Sequence, residues 1–491
     1  NMRIDPVEPS TNNPNIRDIR EYFIDPENPN GSDTLAKMMT FAIGYLAHGS
    51  TDRSVESGSE NYDGIYPVLL EILKRESTTR RFDTRFMGQI HPQGNIIALL
   101  GNMIGAYMNT NTIVKEVSVA EHEMELEVID WLCGIFGYDQ EASGNVVIGG
   151  TTANMAALWV ARQAKFKSWN ENGLSTKDRA KPMVLANSMC HYSIDKACDI
   201  LGMSLVRLPV NSFKTDTHKL AETLANMSEK RLSQISAIVA VAGETETGLV
   251  DDLNAIADIA ERHGIYLHVD AAYGGPFVLS KVASLFHGID RADSITVDPH
   301  KMLYTPYTAG AVLFKDKRKH ALIQQSARYL SPRSNEGVLG DPNNRNFGFA
   351  GRLEGSMSSS GVISTWATIK LFGKEGFAAL LNHTLDITGY AYSRVLDSDY
   401  LKPIHQPELN TLLIGLDVGQ DLANDKYNEL LAVIQKRVDE SDVGGYISIN
   451  GEVDKGRSCF RYVGMHPFTT TEHVEAVICA IETEVKSILV L

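Results

Sequence analysis

The chain has 491 residues, 43% hydrophobic and 22% charged, with a formal net charge of −15. That length exceeds one small core and fits two or three packed regions. The acidic balance argues against nucleic-acid binding, which needs basic patches. No apolar run reaches the roughly 18 residues of a membrane span, and no signal-peptide layout is present, so a soluble cytoplasmic protein without membrane contacts is expected. The cysteines (Cys133, Cys190, Cys198, Cys459 and Cys479) are scattered without CxxC spacing. Free, mostly structural thiols in a reducing compartment are expected.

Taken in order, residues 1–35 are rich in Asn, Pro and Asp and read as irregular. Residues 34–46 and 65–76 carry helical apolar spacing, with a polar, turn-rich stretch between them. Phe86-Met-Gly-Gln-Ile-His-Pro-Gln-Gly94 reads as a loop, because proline and glycine punctuate it. Residues 119–136 read as an amphipathic helix. Its His122, Glu123, Glu125 and Glu127 are expected on a polar face rather than around a metal, because no second ligand cluster appears. No metal site is expected.

From residue 145 the pattern turns to alternating strand and helix. Val146-Val-Ile-Gly-Gly150 reads as a strand closing on glycines, and Thr151-Thr-Ala-Asn-Met-Ala opens a helix. Glycines let an anion approach the backbone. Thr151 and Thr152 can cap the first turn, and the free amides there favour a phosphate. Further strands are expected at 184–186, 204–208, 235–241, 265–270, 295–297 and 309–314. Helices are expected from 190, over 216–227 and over 251–263. This alternation argues for a mostly parallel sheet with helices on both faces.

Two strand ends carry the chemistry. The run Ile265-Tyr-Leu-His-Val ends in Asp270, and Ser294-Ile-Thr-Val runs into Asp298-Pro-His-Lys301. Proline ends the second strand, leaving His300 and Lys301 where open α/β sheets bind ligands. Burial disfavours a charged lysine there, which would free the amine as a nucleophile. An acid and a buried lysine at neighbouring strand ends suit pyridoxal 5'-phosphate (PLP): the lysine forms a Schiff base and the acid holds the pyridine nitrogen protonated.

Asp270-Ala-Ala-Tyr273 with Asp298-Pro-His-Lys301 resembles the PLP-dependent group II amino-acid decarboxylases of fold type I. Tyr304-Thr-Pro-Tyr-Thr-Ala-Gly310 looks most like their tyrosine decarboxylase branch, and the resemblance runs from about residue 85 to the end. It implies an aspartate aminotransferase-like α/β fold with a mostly parallel seven-stranded sheet. Residues 1–115 would form an N-terminal helical segment, 116–370 the PLP-binding domain and 371–491 a small α+β domain. The cofactor would be held by Gly150, Thr151, Thr152, His191, Thr245, Asp270, Ala272, His300 and Lys301. Within this set His191 stacks on the pyridine ring, and Glu244 departs from the family's usual threonine. Tyr329, in the polar 324–351 stretch, would return a proton to Cα. His91, Tyr307 and Ser356 would face the substrate. Leu353-Glu-Gly-Ser356 resembles the tyrosine branch, and the run 353–361 is read as starting a helix near the cofactor; Met357 stands where that branch tends to carry a basic residue.

The implied reaction is decarboxylation of an L-amino acid, aromatic and tyrosine-like, to the amine and CO2. The implied assembly is a homodimer with active sites at the interface. Three alternatives stand beside it. One is a decarboxylase of an acidic or uncommon amino acid. Another is a PLP aldehyde synthase or carbon–carbon lyase, against which Tyr329 counts in the aldehyde synthase case. The third is a catalytically silent partner that keeps only the fold.

Overall fold

Runs of Val, Ile, Leu and Ala build a sheet that is apolar on both faces. The computed structural model describes residues 83–113, 117–166, 181–324, 352–418, 422–441, 443, 445–454 and 456–489. The expected helices at 34–46 and 65–76, and Tyr329, lie outside the described residues. The strands are β1 Ser143–Val147, β2 Met183–Asn187, β3 Ser204–Leu208, β4 Val210–Asn211, β5 Lys214–Thr215, β6 Ile235–Val241, β7 Tyr266–Asp270, β8 Ser294–Val297, β9 Gly310–Phe314, β10 Leu401–Pro403, β11 Thr411–Leu416, β12 Ser448–Asp454 and β13 Arg457–Val463. The longer helices are α1 Ile96–Met108, α2 Val119–Ile135, α3 Gly150–Lys165, α4 Ser193–Ile200, α5 Thr217–Ala225, α6 Leu253–His263, α7 Ser360–Leu396, α8 Asn424–Glu440 and α9 Thr471–Leu489.

The large sheet has seven strands in the order β1-β9-β8-β7-β6-β2-β3. Only β9 runs antiparallel to its neighbours. Successive side chains alternate between faces. Thus β6 sends Ile238 and Ala240 into a core shared with α2, α6 and α7, while Ala237, Val239 and Val241 enter one shared with α3 and α4. Burial on both faces explains why these strands read as continuous apolar runs. The ends of β1, β6, β7 and β8 therefore meet at one edge, where α3 begins.

The second sheet is antiparallel, in the order β10-β11-β13-β12, and packs with α8, α9 and part of α7. Residues near 87 join it: Met87 N donates to Tyr446 O at 2.8 Å, and Val463 N donates to Met87 O at 2.8 Å. Helix α7 links the two regions and breaks at Gly373, whose φ of 56° is open to glycine at little cost.

Several expectations need correction. The 353–361 run turns helical only at its end, where α7 begins at Ser360. The threonines do not cap α3. Its N-cap is Gly149, which has no side chain to give, and Thr151 and Thr152 are already helical. The acids of α2 do not all lie on a polar face: Glu121, His122 and Glu125 are buried, whereas Val119 is exposed. Glu125 pairs with the buried guanidinium of Arg352 and also accepts from Val146 N at 2.8 Å. Glu121 accepts from Thr110 Oγ1 at 2.8 Å. Among the described residues no helix is long and apolar enough to cross a membrane.

Candidate active site

A cavity of about 500 Å³ opens at the strand ends where β1, β6, β7 and β8 meet. It is lined by Gly150, Thr151, Thr152, His191, Thr245, Asp270, Ala272, His300, Lys301 and Tyr307, all expected from the sequence. His91 is not part of the lining, but its ring stacks on Tyr307 at 5.3 Å between centroids. Ser356 is exposed and does not line the cavity, which removes it from the described pocket. The segment around it instead ties to the sheet edge, where Glu354 Oε1 accepts from Ile148 N at 2.8 Å.

Lys301 sits in a tight turn beyond β8. Its amide donates to Asp298 O at 2.9 Å, and its Nζ lies 3.0 Å from Asp298 Oδ2. Burial works against the ammonium, but Asp298 and Asp270 outweigh burial and raise the amine above its ordinary range. This corrects the expectation of a neutral lysine. Burial likewise works against the charge of Asp298, but the ammonium of Lys301 and the neighbouring His300 bring its carboxyl down to about 2. In the sequence this aspartate read as the end of a strand and the start of the Asp298-Pro-His-Lys301 motif, with no task of its own. His300 Nδ1 accepts from Ala309 N at 3.0 Å, which leaves Nε2 facing Asp298 Oδ2 at 3.5 Å. The His300 ring stacks on Tyr307 at 3.9 Å.

Asp270 ends β7 with both oxygens engaged. Oδ1 accepts from Ala272 N at 3.2 Å, and Oδ2 accepts from Asn154 Nδ2 at 2.8 Å. Asn154 and its neighbours Ser193 and His268 were not singled out from the sequence. Each is a polar residue inside an otherwise apolar or helical run, which is the signal that could have found them. His191 precedes α4, and burial lowers its imidazole, opposed by Asp270.

The residues present fit PLP. The first-turn amides of α3 face the cavity without a side-chain cap, so they are open to a phosphate. A Cβ at Gly150 would lie 2.7 Å from Asp298 Oδ2 and 3.2 Å from Ala272 Cβ, so only glycine leaves that room. A carboxylate for a ring nitrogen and an amine for an aldehyde lie in the same cavity.

The family model for the pyridoxal-dependent decarboxylase conserved domain matches residues 50–411. The chain belongs to the pyridoxal-dependent decarboxylase family. Its cofactor is therefore PLP and its reaction class amino-acid decarboxylation. The aromatic-L-amino-acid decarboxylase of Bacillus atrophaeus is 26% identical over 438 residues, which cover 87% of this chain and 86% of that one. The probable L-tyrosine/L-aspartate decarboxylase of Methanosphaera stadtmanae is 29% identical over 301 residues, covering 60% of this chain and 69% of that one. Among solved structures, Oryza sativa TDC with PLP and tryptamine superposes with a TM-score of 0.77 at 18% identity, covering 95% of this chain and 100% of that one. At that identity the superposition speaks for the fold of this pyridoxal-dependent decarboxylase.

Proposed function

We propose that this decarboxylase acts on an aromatic L-amino acid, tyrosine-like, releasing CO2 and the amine. The observation that carries the reading is a column of rings. His300, next in sequence to Lys301, stacks on Tyr307 at 3.9 Å, and Tyr307 on His91 at 5.3 Å. Such a column offers a flat apolar wall, with an imidazole at its far end to meet a phenol hydroxyl. Tyr192, 62% exposed and lining the cavity, adds a second ring.

Each site residue has a task in this reading. Bound PLP supplies an electron sink for the pair left at Cα as CO2 departs. Lys301 provides the amine that holds the cofactor. Asp270 holds a proton on the ring nitrogen by a charge-assisted bond. Gly150, Thr151 and Thr152 offer amides to the phosphate, with Thr245, Ala272 and His300 shaping the ring's surroundings. His191 covers a ring face and can donate to the substrate carboxylate. Tyr329 returns a proton to Cα.

A second reading rests on Lys196, which also lines the cavity. An ammonium there favours an acidic side chain such as that of aspartate. The homodimer belongs to the proposal as well, supported by the exposed Ile148, Tyr192 and Tyr307 around the cavity. A cytoplasmic site of action belongs to the proposal too, supported by cysteines scattered through the chain without CxxC spacing.

The deciding experiment incubates the PLP-loaded enzyme with the common L-amino acids together and reads products by mass spectrometry. Tyramine, or another aromatic amine, supports the proposal. Accumulation of β-alanine instead moves the assignment to aspartate and Lys196. Aldehyde in place of amine moves it to the aldehyde synthase reading.

A further inference from the structure

Behind Asp270 runs a chain of buried hydrogen bonds in which the donors can be assigned as far as Ser193. An ionised carboxylate only accepts, so Asn154 Nδ2 donates to Asp270 Oδ2 at 2.8 Å. The same nitrogen gives its second hydrogen to Ser193 Oγ at 2.9 Å. Asn154 Oδ1 is thereby turned to His268, 2.9 Å from Nε2, and that nitrogen must carry the proton. His268 Nδ1 then accepts from the Ser294 hydroxyl at 2.8 Å. At the other end the Ser193 amide makes only a long contact with His191 Nδ1, 3.3 Å, which favours an acceptor there without fixing it. The Ser193 hydroxyl, 2.9 Å from the same nitrogen, is placed to donate to it as well. This arrangement favours Nε2 for the proton of a neutral His191.

Apart from the branch by which Asn154 donates back to Asp270 on β7, the donors point one way, from β8 through β7 and α3 to the start of α4. Asn154, Ser193, His268 and Ser294 are each at most 1% exposed, so water does not compete for these bonds. Burial also pushes the His268 imidazole down to about 4, in keeping with the neutral, Nε2-protonated form the geometry requires.

We propose that Asn154, His268 and Ser193 form a one-directional hydrogen-bond relay that sets the Asp270 carboxylate and the His191 tautomer together. Asp270 is held in one orientation for the ring nitrogen, and His191 is left with an Nε2–H donor at the cavity. These three are positioning residues, since none bonds the reacting atoms. The inference rests on the roles given above to Asp270 and His191.

The test uses full-length protein labelled with ¹⁵N-histidine, with and without PLP. The variants are Asn154→Leu, Ser193→Ala, His268→Gln and His268→Leu. In the wild type, His191 Nδ1 should resonate as an unprotonated nitrogen across neutral pH, in apo and loaded protein alike. Asn154→Leu should move that signal toward a tautomeric average. It should also lower kcat by about 10–100-fold with little change in KM, the range seen when outer partners of functional ligands are removed. His268→Gln keeps an N–H donor for Asn154 Oδ1 and should retain the wild-type signature, whereas His268→Leu should lose it.

Equal losses in His268→Gln and His268→Leu would reduce His268 to packing and overturn the proposal. So would a His191 spectrum unchanged in Asn154→Leu. If Asn154→Leu fails to fold, Ser193→Ala tests the same branch at its other end. A wild type that neither takes up PLP nor releases CO2 would overturn the decarboxylase reading, while the apo spectrum would still decide the relay.

Discussion

The Lys301 amine lies 3.0 Å from Asp298 Oδ2, and both side chains sit just beyond the carboxyl end of β8. Asp298 Oδ1 is buried and finds no hydrogen-bond partner among the described residues. The pair favours the charged lysine in the cofactor-free chain, against the opposing effect of burial.

Asp298 should make stability fall in acid. Its carboxyl is held at about 2, against 3.8 for an ordinary aspartate. A depressed pKa stabilises the fold above the unfolded value, and the gain is lost as pH drops from about 4 toward 2. The shift corresponds to roughly 2 kcal/mol. Asp298→Asn should lose this component of the acid limb, measured by denaturant titration at pH 6 and pH 3. A variant losing as much stability between those two pH values as the wild type would contradict it.

Glu244 should act in the opposite sense. Burial raises its carboxyl to about 7, although Glu246 N, Thr247 N and Thr247 Oγ1 all donate to it. A raised pKa favours the protonated fold, so stability is greatest below about 4.5 and declines as pH rises through 7. The decline amounts to about 3 kcal/mol at most. Glu244→Gln should flatten it, and denaturation at pH 5 and pH 8 would show whether it does. Because Thr245 lines the cavity, PLP affinity should follow the same trend.

How much of this was legible in the sequence depends on how local the signal is. Asp270 and Lys301 stand at the ends of β-branched runs, and strand order brings those ends together, so both could be read. Asn154, Ser193 and His268 acquire meaning only from one another, and they come from α3, α4 and β7. The acids of α2 were misread for a related reason. Helical spacing marks one buried face, but α2 packs against both β1 and α7 and buries Glu121 and Glu125 as well. The charge on Lys301 was misjudged because burial was weighed without the Asp298 partner.

Gly150→Ala should separate cofactor binding from folding. Its added Cβ would meet Asp298 Oδ2 at 2.7 Å, at the site where α3 offers its amides. PLP affinity should drop by at least about tenfold, equivalent to about 1.4 kcal/mol. The apo melting temperature should fall by less than that of the PLP-loaded protein, because the same Cβ also presses on Asp298 in the empty chain. Fluorescence titration with PLP, set against melting curves of the apo and loaded protein, checks both. Unchanged affinity would remove this turn from the phosphate site.

Arg352 should be a large contributor to stability. It is buried, pairs with Glu125 and donates to Thr112 Oγ1. Arg352→Met would leave Glu125 charged and unpaired, at a cost of about 3–5 kcal/mol. Adding Glu125→Gln should restore much of it, because the charge is removed. Thermal unfolding of the single and double variants measures the difference, and additive losses would contradict a coupled pair.

The most direct test of the account is to load the enzyme with PLP, reduce it with borohydride and map the modified peptide by mass spectrometry. The account predicts one phosphopyridoxyl group, carried on Lys301. A label on Lys196 or on any other lysine, with Lys301 unmodified, would contradict it.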